Sequence, residues 1–194
     1  EIAAALAPVI EGGAITLQDE RGTRAVRVAF ATGDIAAALQ GAELVLVPVP
    51  ATAQEDIARA MAPHLADGQV VFLPPGTFGS YVMAQTVRVL GSQADVLWAE
   101  TGTLPYLARK SGAAAVAIRC RAVRLPTGVY PAAGSARALQ VIRRAYPSVQ
   151  PCGDALSGAL VNAGPVIHTP LILMNAAPLQ HFERWDIHNE GTQP

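Results

Sequence analysis

Histidine is the side chain best suited to moving a proton near neutral pH, and one of the chain's four histidines stands in an unusual setting. His168 lies in Asn162-Ala163-Gly164-Pro165-Val166-Ile167-His168-Thr169-Pro170-Leu171, followed by Met174-Asn175-Ala176. Prolines on both sides, at the start of an apolar helical pattern, would hold the imidazole rigidly. A general acid or base is one reading of this residue. A histidine satisfied within a core is the other, and the residue alone does not separate them.

Three further segments could line a ligand. Pro48-Val49-Pro50-Ala51-Thr52, Pro74-Pro75-Gly76-Thr77-Phe78-Gly79 and Glu100-Thr101-Gly102-Thr103-Leu104-Pro105-Tyr106 each follow an apolar run. Prolines and glycines there give stiff, tight turns whose backbone can approach a flat ligand, and Thr52 opens a helix whose free N–H groups could face an anion. Tight turns are also what any such sheet needs at these places. His181, Glu183, Asp186, His188 and Glu190 crowd together but fit no standard zinc spacing, so they read as a solvated helix end and no metal site is expected. Ser80 and Ser157 lie outside any G-x-S-x-G elbow, which argues against a serine hydrolase.

These segments must be positioned by an alternation of strands and helices. Ala25–Ala31 reads as a half-buried strand, and Asp34 caps a helix to Leu39 that ends at Gly41. Glu43–Val49 and Gln69–Leu73 are continuous apolar runs, the signature of parallel strands buried on both faces. Between them Thr52 and Glu55 suggest a capping box for a helix to about Leu65, closed by Asp67-Gly68. Phe78–Leu90 is helical in pattern, and Asp95–Ala99 is a strand again. Helices of this length between strands imply right-handed crossovers in a doubly wound parallel sheet. Ala113–Cys120 and Ala122–Leu125 then read as strands in a hairpin or edge arrangement. Ser135–Tyr146 is a helix with Arg137, Arg143 and Arg144 on its wet side, and Val149–Cys152 a short strand. From Ala155 the pattern is helical, through Leu156–Val161 and Val166–Leu179. The expected class is therefore α/β, a partial Rossmann-like doubly wound parallel sheet followed by the start of an all-α domain, with the boundary near residue 154.

The dinucleotide fingerprint G-x-G-x-x-G is not found. Gly12-Gly13 does not form it, and Gly76 to Gly79 has the wrong spacing. Counted back from the strand at 25–31, it would fall before Glu1. Residues 1–154 are thus expected to be a nucleotide-binding domain lacking its first β-α-β unit, and residues 155–194 the beginning of a helical substrate domain. Composition narrows the function classes. The chain has 194 residues, 51% of them hydrophobic and 15% charged, which excludes a disordered chain and provides for a core. Fourteen basic residues against fifteen acidic ones give no global field for nucleic acid. The longest apolar runs look strand-sized, so no membrane partner is expected. Two cysteines, Cys120 and Cys152, do not make a disulfide scaffold and suit a reducing, cytoplasmic setting, with Cys120 read as a small core residue and Cys152 as a near-surface thiol.

The stretch NAGPVIHTPLILMNAAPLQHFERWDIHNEGTQP resembles the entrance to the helical domain of the NAD(P)-dependent octopine/nopaline (opine) dehydrogenases. AALQGAELVLVPVPATAQEDIARAMAPHL, GQVVFLPPGTFGS and AETGTLPYLAR resemble the second half of that family's nucleotide-binding domain, so the likeness runs from about Gly33 to Pro194. It implies NAD or NADP as cofactor, an amino acid and a 2-oxo acid as substrates, and reduction of the imine they form. His168 matches the family's catalytic histidine. On the same basis Pro48, Val49, Pro50, Thr52, Pro75 and Gly76 would line the cofactor. Glu100 and Thr101 would lie near the nicotinamide and substrate, and Asn162 and Asn175 would orient the region around His168. Gly164 stands where many relatives carry a second Asn, and Thr169 where a Pro commonly follows the His. The family's histidine works with an Asp from later in the helical domain, expected beyond residue 194, and Asp186 is not assigned that role. The apolar face of 166–179 must pack on further helices or on a partner, a homodimer being one solution. A 2-oxo acid or other carbonyl reductase of the same build, or a non-catalytic dinucleotide-binding fragment, are the alternatives.

Overall fold

The computed structural model describes residues 2–192. In chain order these form α1 (Ile2–Gly12), β1 (Ala14–Asp19), β2 (Gly22–Arg27), α2 (Ile35–Leu39), β3 (Leu44–Leu46), α3 (Ala51–Met61), β4 (Val70–Leu73), α4 (Gly79–Val89) and β5 (Leu97–Thr101). There follow β6 (Tyr106–Gly112), β7 (Ala115–Arg121), β8 (Leu125–Tyr130), α5 (Ser135–Arg143), β9 (Val149–Asp154), α6 (Ala155–Leu160), α7 (Gly164–Met174) and α8 (Ala176–His181).

The main sheet has the order β3-β4-β5-β8-β9. Its first three strands are parallel, as their apolar runs require, and the next two depart from that pattern: β8 runs antiparallel to β5, and β9 parallel to β8. Period-2 alternation divides the side chains of β4 between two cores. Val71 and Leu73, with Trp98 of β5, pack under α3 and α4 beside Met61, Met83 and Val87. Val70 and Phe72, with Leu97 and Ala99, pack under α5 beside Ala138, Leu139 and Ile142. Covering both faces is what makes Val70–Leu73 a continuous apolar run. Truncating Leu73, which is fully buried between β4 and the α3/α4 layer, is expected to cost about 3 kcal/mol. A urea denaturation midpoint would measure it; a midpoint unchanged from that of the native chain would show that this layer does not carry the core.

Local signals explain several boundaries. Asp34 caps α2 by accepting from the amides of Ala36 and Ala37. The capping box at Thr52 and Glu55 does not form. Pro50, with its φ fixed at −57°, is the N-cap of α3, so Thr52 already lies in the first turn and Glu55 pairs with Arg59 instead. The strand Glu43–Val49 contracts to β3, an edge strand with its residues only half-buried or exposed.

The segment read as a strand at 25–31 belongs elsewhere. β1 and β2 form an antiparallel hairpin, β1 runs parallel to β7, and β6 and β7 form a second hairpin, giving a separate sheet ordered β2-β1-β7-β6. β2 is exposed along its whole length. The Asp19 carboxylate clamps this sheet: both Arg24 Nη atoms donate to it at 2.7 and 2.8 Å, and Arg121 Nη2 donates at 2.7 Å. The Arg24 bond, with help from the Arg21 amide and the charges of Arg24 and Arg121, holds its pKa well below the usual carboxylate range, against the opposing effect of burial. Cys120, expected in a core, is exposed on β7, because this sheet lies apart from the two main cores. The strand at 113–120 corresponds to β7, whereas 122–124 connects to β8, which starts at Leu125.

Residues 155–174 are long and apolar enough to cross a membrane by composition, a run longer than the strand-sized segments that stand out in the sequence. They fold as two helices interrupted at 161–163, and α6 packs on β5, β8 and β9. Pro170 sits inside α7, not at its start, where it removes one intrahelical bond. The helical pattern expected through Leu179 breaks at Asn175 between α7 and α8.

Candidate active site

The carboxyl ends of β4 and β5 carry two turns that touch. The Gly76 amide donates to the Thr101 carbonyl at 3.1 Å. After the cis Pro74-Pro75 bond, Thr77 and Phe78 adopt φ of +56° and +65°. Two successive non-glycine residues in the left-handed region, one of them β-branched, cost roughly 1–3 kcal/mol each and persist only where the surroundings enforce them. Here Glu100 does so. It is fully buried, and its Oε1 accepts from the Phe78 amide at 2.7 Å while Oε2 accepts from the Ser80 amide at 2.8 Å. From the other side Gln54, buried on α3, donates Nε2 to the Gly76 carbonyl at 2.9 Å. Gly76 has to be glycine, since a Cβ there would sit 2.4 Å from Glu100 Cβ and 2.7 Å from Oε2.

Burial raises the pKa of Glu100, and the hydroxyl and amide of Ser80 and the amide of Phe78 offset only part of this. The native group holds its proton at a higher pH than an unfolded glutamate, so its contribution to stability is full below the unfolded pKa and declines as pH rises through the native one.

The next layer is α6, which lies against the sheet backbone to backbone. A Cβ on Gly158 would meet the Gly128 nitrogen at 2.8 Å and the Glu100 carbonyl at 2.9 Å, and one on Gly102 would meet the Asn162 nitrogen at 2.5 Å. Asp154 caps α6 by accepting from the Ser157 amide at 2.9 Å. That close seat delivers 161–168 to the end of β5. Asn162 Oδ1 accepts from the Gly164 amide at 2.9 Å and opens α7. The result is a cavity of about 540 Å³ walled by Pro75, Gly102, Thr103, Asn162, Pro165 and His168. His168 is exposed there, one turn into α7, and is not a satisfied core histidine.

The structure therefore brings together Pro75, Asn162 and His168. Pro48, Pro50 and Thr52 are exposed at the neighbouring strand end, with Pro48 and Val49 on an apolar groove of about 350 Å³ beside β3. Glu100 and Thr101 do not line the cavity: both are fully buried, and the Thr101 hydroxyl donates to the Thr103 carbonyl at 2.7 Å. Asn175 is buried as well and lies seven residues beyond His168, about 10 Å along the helix. It donates to the carbonyls of Leu171 and Thr192 at 2.9 and 2.8 Å and accepts from Trp185 Nε1 at 3.3 Å and the Thr192 amide at 2.9 Å, tying the 185–192 segment to α7. Asp186 is used in its own turn, accepting from the His188 and Asn189 amides and the Asn189 side chain. Among the described residues no three His, Cys, Asp or Glu side chains converge to hold a metal ion. Gln54 does not stand out in the sequence, and Ser80 is weighed there only as a nucleophile. The signal for Gln54 is a polar residue amid the inward positions Ala58 and Met61 of α3.

A sheet parallel over β3, β4 and β5, with helices on both faces, strand-end turns in contact and a histidine-bearing helix entering over them, is a Rossmann-like α/β architecture running on into helices. The likeness to opine dehydrogenases noted in the sequence holds up. The opine dehydrogenase of Arthrobacter sp. (strain 1C) is 26% identical over 163 residues, which is 84% of this chain and 45% of that protein. Yersinopine dehydrogenase bound to NADP+ superposes with a TM-score of 0.72 at 17% identity, over all of this chain and 49% of the other. Octopine dehydrogenase in complex with NADH and L-arginine gives 0.67 at 18% identity, over 95% and 47%. The chain thus spans about half the length of these relatives. No protein-family model matches it.

Proposed function

We propose that the protein carrying this chain is an NAD(P)H-dependent oxidoreductase of the opine dehydrogenase kind, reducing the imine formed between an amino acid and a 2-oxo acid. The observation that carries this is the cavity at the end of β5, where an exposed His168 faces a rigid floor of Pro75 and Gly102. The sequence likeness to the Arthrobacter enzyme supports the activity, and the NADH- and NADP+-bound structures of similar fold support the cofactor.

The residues present fit a flat dinucleotide. The turn at 48–52 offers proline and backbone surface without a bulky side chain; in the second turn Pro75 is half-exposed, while Gly76 is buried beneath it against Glu100. Pro48, Val49, Pro50, Thr52, Pro75 and Gly76 would hold the cofactor, which when bound supplies a hydride. His168 would hydrogen-bond the substrate and deliver the proton that the reduced C–N bond requires, so that one hydride and one proton convert C=N to CH–NH. Asn162 would keep the start of α7, and with it His168, in place.

The test uses the protein that carries this chain, NADH or NADPH, pyruvate and a panel of amino acids. Oxidation of the cofactor that requires both the amino acid and the oxo acid is the expected result. No oxidation with any pair overturns the proposal, and oxidation that proceeds without an amine reassigns the protein to carbonyl reduction.

A further inference from the structure

The cluster beneath the 74–80 turn has a feature that simple packing leaves unexplained. Ser80 Oγ is fully buried without a hydrogen bond of good geometry, although it lies close enough to the Glu100 carboxyl group to favour its ionised form and its own residue's amide is bonded to that group. A carboxyl group held by two backbone amides and lying beside an unsatisfied hydroxyl has two ways to complete its bonding. As a carboxylate it accepts from Phe78 and Ser80 at both oxygens. As a carboxylic acid one oxygen becomes a donor, which a backbone N–H cannot accept, and its bond from the Ser80 amide weakens. The turn above has no slack to absorb that change, because Gly76 rests on the carboxyl group and Thr77 and Phe78 are both left-handed.

We propose that Glu100 is a positioning residue whose protonation sets the shape of the Gly76–Ser80 turn, the carboxylate form holding it in the geometry that meets the cofactor. The inference rests on the proposed function for the identity of that ligand, but the coupling between proton and turn does not. Leu73 of β4, Gly128 of β8, Gln54 of α3, Ser80 of α4 and Gly158 of α6 surround the residue. None of these groups carries a charge, so burial governs its titration, with the Ser80 and Phe78 bonds opposing. The carboxyl group reaches the ligand only through the turn, since it does not line the cavity.

The experiment follows the amide resonances of Phe78 and Ser80 through a pH titration, together with the affinity for NADH or NADPH. Both amides are expected to shift with one common midpoint above that of an ordinary glutamate. Affinity for the reduced dinucleotide is expected to rise through the same midpoint. In Glu100→Gln, whose amide nitrogen opposes one backbone N–H, both titrations should vanish and affinity should fall about tenfold. Ser80→Ala leaves the two amide bonds in place and serves if the first variant does not fold. Its midpoint should move upward, because the hydroxyl favours the ionised form. Amides that do not titrate, or a Ser80→Ala midpoint identical to that of the native chain, would overturn the proposal. Amides that titrate as expected while no dinucleotide binds at any pH would sustain the coupling and refute the functional reading above it.

Discussion

Replacing His168 by alanine is expected to lower amine-dependent oxidation of NADH or NADPH by about 10²- to 10⁴-fold, the usual contribution of a positioned general acid or base. The loss should fall on turnover, with dinucleotide affinity nearly unchanged, because the turns at 48–52 and 74–76 proposed to hold the cofactor lie at the ends of β3 and β4 and His168 on α7. The fold should be indifferent. His168 is exposed, and Leu171 is the buried residue of its helix, so stability ought to stay within about 0.5 kcal/mol. Steady-state kinetics with circular dichroism separates these effects. A variant that turns over at the native rate would remove His168 from the chemistry, and one that loses activity together with its fold would show a structural role instead. His168→Asn is the sharper companion, since it keeps a hydrogen-bonding group on α7 but carries no titratable proton.

How much of this could be read from the sequence depends on what each segment packs against. β4 was legible because both its faces are covered, so Val70–Leu73 is apolar without interruption. The β1–β2 hairpin was not: one strand alternates weakly, the other is exposed throughout, and the sheet they join lies outside the two main cores. The inward direction of Glu100 could have been read from period 2. It shares a face of β5 with Trp98, which packs in the α3/α4 core, so a carboxyl group there must enter that layer unless the strand has ended. Asn175 was illegible for a different reason, because its partners Trp185 and Thr192 arrive from a segment with no regular structure. His168 was found from flanking prolines, yet only the seat of α6 explains why it faces the ends of the strands. That seat is built of glycines, which leave little trace in a hydropathy pattern.

Gly128→Ala should therefore be among the most damaging single-methyl changes in the chain. A Cβ at Gly128 would lie 1.9 Å from the Asp154 carbonyl oxygen and 2.7 Å from the Gly158 nitrogen. These are backbone atoms, one ending β9 and the other inside α6, so no side chain can turn aside to make room. β8 pairs with both β5 and β9, and a shift large enough to admit the methyl must break register with one of them or lift α6 off the sheet. A loss of about 4 kcal/mol or more is expected, beyond the usual range for overpacking. Gly158→Ala probes the same seat from the helix side, where the contacts are 2.8 Å to the Gly128 nitrogen and 2.9 Å to the Glu100 carbonyl. Its cost should be smaller, because the α6 helix can shift by a few tenths of an ångström as a body and alanine favours the helical backbone. Urea unfolding gives both values, and equal losses would mean that α6 cannot move. If the seat positions α7 as well, Gly158→Ala should also reduce turnover more than it reduces stability, because a small tilt of α6 displaces His168 from Pro75 and Gly102 while leaving both cores packed. A variant with native turnover and impaired stability would confine the glycine contact to folding.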